Sequence, residues 1–233
     1  MKKYFLLVYI MISFLPRTFS QTNEVKDVVI QQVIDSINKV KNVIIKQATD
    51  SIMAARKDSI KWAKFESIAY FPLINAGKFS GVLPVAGIDE IPSPKREYKL
   101  LFEFTLSDKD STHEKINPGL TEIARILNLH VASGIPISHI HPVIVVHGTS
   151  LYAKQNNELY QGKFKKDNPN SKVIQDLMKN GARFIACGQA MNFFDVKKEE
   201  LFPGVKVSLT AQTVLSNYIG QGYVWYDISK ENK

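Results

Sequence analysis

The chain has 233 residues, 45% apolar and 22% charged, with a formal charge of +8. That balance is ordinary for a globular protein and excludes wholesale disorder. The basic residues are scattered among acids, without the concentrated basic face or the recognisable module of a nucleic-acid binder, so nucleic acid is not an expected partner.

The N-terminus has the order of an export signal. Lys2 and Lys3 precede an almost unbroken apolar stretch, Tyr4 to Leu15, which is too short to span a bilayer. Pro16 breaks it, and Thr18 and Ser20 place small residues three and one before Gln21. Residues 1–20 are therefore expected to be a signal peptide, and the protein to be periplasmic or secreted. Cleavage after Ser20 would remove Lys2, Lys3 and Arg17, taking three positive charges from +8 and leaving +5. No later apolar run is long enough to cross a membrane, so no membrane partner is expected after cleavage.

Residues 21–66 are expected to form a helical extension. No Gly or Pro occurs between 21 and 70, and apolar or small residues recur from Val25 to Trp62 every 3.7 residues on average. This average lies nearer an 11-residue repeat than a heptad. One long helix fits, as do two helices broken at Thr49-Asp50-Ser51, which are N-cap residue types. Either way the stripe asks for burial, against the main domain or another subunit. Residues 67–95 read as a connecting arm. Pro72, Gly77, Gly81, Pro84, Gly87, Pro92 and Pro94 break regular structure, while Phe71, Leu73, Ile74, Phe79, Val82, Leu83 and Val85 ask for burial.

From Tyr98 strands and helices alternate. Strands are expected at 98–106, 143–147, 182–186, 205–209 and 223–228. Helices are expected at 118–128, after an Asn117 N-cap, and at 171–180 and 211–219, with short helices near 189–194 and 197–201. Continuous apolar strands joined by helices predict an α/β three-layer sandwich around a mainly parallel five-stranded sheet.

In such sheets reactive groups gather at the carboxyl ends of the strands. Two positions fall there: His147-Gly148 after the second strand and Cys187-Gly188 after the third. Cys187 is the sole cysteine, so no intramolecular disulfide can form. A buried inert thiol, an intermolecular bridge and a reactive thiol remain. For the reactive form, a following helix start would favour the thiolate, and Gly188 would let a partner approach the sulfur; a partly accessible thiol is expected. His147 could serve the thiol as a neighbour, or cap its strand on a backbone carbonyl. His139 and His141 face the same way if extended, but Pro142 and the polar setting suggest a surface loop, and without a clear third ligand no metal is expected. No Walker loop, nucleophile elbow or dinucleotide fingerprint occurs.

The segment from Gly181 to Gln189, a strand ending in Cys-Gly, resembles the DsrE/DsrF-like family. So do Val143 to Gly148 with its His-Gly end, Leu201-Phe202-Pro203-Gly204-Val205, and the closing Gln221-Gly222-Tyr223-Val224. The resemblance covers about residues 96–228. It implies a flavodoxin-like sheet, homo-oligomerisation, and a cysteine that carries persulfide sulfur between proteins, here Cys187, with a sulfur donor or acceptor protein as partner and no cofactor. Two other readings compete: a non-catalytic binding or assembly module on the same fold, and a small-ligand site lined by Cys187 and His147.

Overall fold

The computed structural model describes residues 23–105 and 113–229, with side chains from residue 28 onward. The expected signal peptide lies outside the described residues. The chain divides into two compact units, Met1–Trp62 and Ala63–Lys233.

The first unit is occupied by helix α1, Asn23–Ile68, one helix of 46 residues that runs on into the second unit. It does not break at Thr49-Asp50-Ser51. Thr49 Oγ1 donates to Ile45 O and Ser51 Oγ to Gln47 O, each 2.8 Å, so these hydroxyls bond the preceding turn instead of capping a new one. The apolar stripe is exposed from Val28 to Ile60.

The second unit begins with the arm. Tyr70 and Val82 form an antiparallel bridge, and Lys78–Ser80 a short 3-10 turn. Ile74, Ala76 and Val82 are buried, whereas Phe79, Leu83 and Val85 are exposed, so only part of the expected apolar set is covered. The clamp is Asn128. Its Oδ1 accepts from the Leu73 and Ile74 N–H groups, and its Nδ2 donates to Ile74 O and Ser80 O. All four capacities of this buried amide are used, which is what makes its burial tolerable.

Five parallel strands follow, β1 (Tyr98–Phe104), β2 (Ile140–Val146), β3 (Arg183–Cys187), β4 (Lys206–Ser208) and β5 (Val224–Ile228), in the spatial order β4-β3-β2-β1-β5. The chain steps outward from β1 to β4 and then returns to the other side of β1. The connecting helices are α2 (Pro118–Ala132), α3 (Asn157–Phe164), α4 (Ser171–Lys179), α5 (Gly188–Phe193) and α6 (Ala211–Gly220). The α/β three-layer expectation holds.

Side chains alternate across the sheet. Leu100, Phe102, Phe104, Ile144, Val146, Phe184 and Ala186 pack with residues of α2 and α4 in the larger core. Leu101, Val143, Val145, Ile185 and Cys187 face the other way and meet Ala211, Val214, Leu215 and Tyr218 of α6. Each fully buried Leu, Ile or Phe contributes about 1.5–3 kcal/mol. Gly119 lets α2 come down on β1: a Cβ there would lie 2.3 Å from Phe104 Cε2.

Most element ends differ from expectation by a few residues, and two differences change a reading. Strand β2 starts at Ile140, so His141 and Pro142 lie in a strand and not in a surface loop. Pro142 is tolerated because it precedes Val143, the first residue paired with β3. Between β2 and α4 the chain adds a 3-10 helix, Gly148–Lys154, and α3, neither of which carries a clear apolar period.

Candidate functional site

The two strand-end positions lie at the carboxyl ends of β2 and β3, adjacent strands of the sheet. The carboxyl ends of the strands are where open parallel sheets place their sites.

Glu103 lies on β1 in register with Val145 of β2, and Val145 with Ile185 of β3. His147 and Cys187 each lie one residue past the Val146–Ala186 pair, both still in extended backbone. By alternation Glu103, His147 and Cys187 therefore share the face that carries α6. Neighbouring strands lie about 4.8 Å apart, so His147 and Cys187 are lateral neighbours.

His147 Nε2 meets Glu103 Oε1 at 2.9 Å, and Trp225 Nε1 donates to Glu103 Oε2 at 3.0 Å. A carboxylate only accepts, so Nε2 carries the hydrogen, and a neutral ring then has Nδ1 as its acceptor. The His147 and Glu103 side chains are 23% and 22% exposed. The ring is thus fixed by a side chain, while the backbone N–H of His147 continues the ladder to Phe104 O.

Cys187 closes β3. It is 4% exposed, packed with Leu101, Val143, Val145 and Ala211, so the expected partly accessible thiol is in fact covered. The physical reason is α6, which returns across this face. Its first residue, Ala211, donates its N–H to Cys187 Sγ at 3.2 Å. A helix does begin directly after Cys187, as expected, but the sulfur is bonded to the start of α6. The N-terminus of a ten-residue helix favours negative charge, and a thiolate accepts such a bond better than a thiol. Gly188 also has another role than the expected one. A Cβ there would lie 2.7 Å from Ser208 O, so this glycine lets the end of β3 close against β4. Next to it an open cleft of about 480 Å³ is lined by Gly188, Gln189, Asn192, Lys197, Val207 and Leu209 among others.

At the amino ends of the strands, His141 Nε2 bonds Glu97 Oε2, and His139 Nδ1 bonds Pro94 O at 2.8 Å. The hydrogen bond from His141 holds the Glu97 carboxyl below its usual value. Glu97 is a partner for His141 that sequence reading did not supply. Among the described residues, however, no group of three His, Cys, Asp or Glu could hold a metal.

Lys154 was also missed. Its side chain is fully buried, and Nζ has no hydrogen-bond partner. It lies 4.2 Å from the Phe104 ring centre and 5.4 Å from that of Phe184. Burial pushes its amine well below the ordinary lysine value. Its backbone is pinned on both sides: Phe202 N–H donates to Lys154 O, and Asn168 Nδ2 donates to Ala153 O and Gln155 O. Nothing in the local sequence marks it. Glu103 was more legible, being the one acid in an otherwise apolar run at the end of β1.

The DsrE/DsrF-like family model matches residues 99–225. No curated protein matches the chain. Among solved structures, a protein of unknown function, MTH1491, from Methanobacterium thermoautotrophicum is similar. It shares 16% identity, with 56% of this chain and 99% of that one covered and a TM-score of 0.43.

Proposed function

Because the chain belongs to the DsrE/DsrF-like family, we propose that it is a sulfur carrier working through Cys187 outside the cytoplasm. The observation that carries this reading is the Ala211 N–H aimed at Cys187 Sγ at the carboxyl end of β3. It gives the one thiol of the chain a hydrogen-bond donor suited to an anionic sulfur.

The step is an exchange between sulfurs. The Cys187 thiolate attacks the outer sulfur of a donor persulfide. A new S–S bond forms at Cys187, the donor's S–S bond breaks, and the donor leaves as a thiolate. Passing the outer sulfur to an acceptor thiolate is the same exchange in reverse, with no net oxidation. His147, one residue past the Val146–Ala186 pair as Cys187 is, and held by Glu103, is the candidate to take the thiol proton. Because Cys187 is covered, the donor or acceptor protein must displace the cover near α6 as it docks. Export rests on the order of charged, apolar and small residues before Gln21.

The test is the intact mass of the purified protein after polysulfide treatment. Added sulfur is expected on the wild type and none on Cys187→Ser. Burial of Cys187 favours a second reading, a non-catalytic binding or assembly module. A thiol that takes sulfur only after denaturation would put that reading in front.

A further inference from the structure

The stripe of α1 averages 3.7 residues per step, but the average hides a regular stretch. Ile30, Val33, Ile37, Val40 and Ile44 follow each other at alternating steps of three and four, which is the a/d spacing of a heptad. All five are β-branched, and they are between 46% and 59% exposed. A four-residue step from Ile44 to Ala48 shifts the frame by one. A weaker heptad then runs through Ile52, Ala55, Ser59 and Trp62. From Ile30 to Trp62 the row is thus two heptad windows joined by one skip.

The flanking positions widen the seam. Val29 and Val43 fall at g and Ile34 at e, and all three are exposed. Isoleucine and valine at both a and d, with apolar e and g positions, suit three or more helices better than two. A lipid surface fits less well, because membrane-lying helices carry Leu, Phe or Trp opposite a Lys/Arg-rich face. Residues 23–61 contain no Leu, Phe or Trp, and Asp27, Asp35, Asp50 and Asp58 are interspersed with the lysines.

We infer that α1 is an assembly helix whose Ile30–Ile44 seam is covered by the same helix of two or three further copies in a parallel bundle. This is independent of the sulfur chemistry of Cys187. The test is sedimentation equilibrium of the purified protein at micromolar concentration. The expected particle holds three or four chains. Ile37→Asp with Val40→Asp should break it to a smaller particle while leaving the near-ultraviolet circular dichroism of the α/β domain unchanged. Val33→Leu with Val40→Leu, which restores β-branched a and leucine d, should shift the population toward two chains. A wild-type monomer or dimer overturns the inference. So does a double aspartate variant that keeps the wild-type mass, or a leucine variant that keeps the wild-type chain number.

Discussion

Glu97 and His141 meet at the amino end of the β1–β2 pair, and Glu103 and His147 meet at the carboxyl end, six residues further along each strand. The residue types are the same and the surroundings are not. The amino-end pair is open, its side chains 43% and 54% exposed for the histidine and the acid. The carboxyl-end pair is about half as exposed, shares its carboxylate with Trp225, and has Cys187 beside it. An exposed ion pair is screened by water and adds little, whereas a half-buried one fixes a ring. The comparison teaches that the location of a His–Glu pair in a parallel sheet, not its composition, decides how far it is shielded from water.

That contrast can be broken in several places. The largest effect is expected at the end of β3. Gly188→Ala would drive a Cβ into Ser208 O, a backbone atom that cannot rotate away, and should cost about 3 kcal/mol, read by urea unfolding. Next comes Lys154. Replacing its unpartnered amine by Lys154→Met should stabilise the protein by about 2 kcal/mol at neutral pH. The sign follows from the lowered amine: the unfolded chain binds a proton that the folded one refuses. The gain is therefore present at neutral pH and shrinks as pH rises toward the ordinary lysine range. Unfolding of both forms at pH 7 and near pH 10 checks this, and an equal gain at both would contradict it.

Smaller still is Glu103→Leu, which leaves His147 Nε2 and Trp225 Nε1 without their acceptor and should cost about 1 kcal/mol. It should also slow sulfur uptake at Cys187 if His147 takes the thiol proton. Glu97→Leu, at the open end, is expected to change neither the melting temperature nor sulfur uptake. Equal effects of the two substitutions would remove the distinction between the ends.

Much of this was legible in the residues. Continuous apolar runs mark the strands, and the Asn117-Pro118 start of α2 follows from capping: Asn117 Oδ1 accepts the Gly119 N–H at 2.8 Å. The strand-end positions of His147 and Cys187 follow from the same pattern. What was not legible depends on distant chain. Cys187 is covered by α6, which begins 24 residues later, and Lys154 is buried by rings from β1 and β3. The sequence around Gly148–Lys154 is neither periodic nor apolar enough to announce a buried turn, because hydrogen bonds to Phe202 and Asn168 hold it in place. Likewise Pro142 argues against a strand locally, and only the late start of pairing with β3 removes the conflict.

The central claim is that Cys187 carries sulfur, and its reactivity in the folded protein tests it most directly. The native protein is treated with polysulfide, the excess is removed, and the intact mass and the modified peptide are read beside those of Cys187→Ser. The account predicts added sulfur on the peptide containing Cys187 in the folded wild type and none in the variant. A wild type that takes up sulfur only when denatured, or a Cys187→Ser protein that takes up as much, would contradict it.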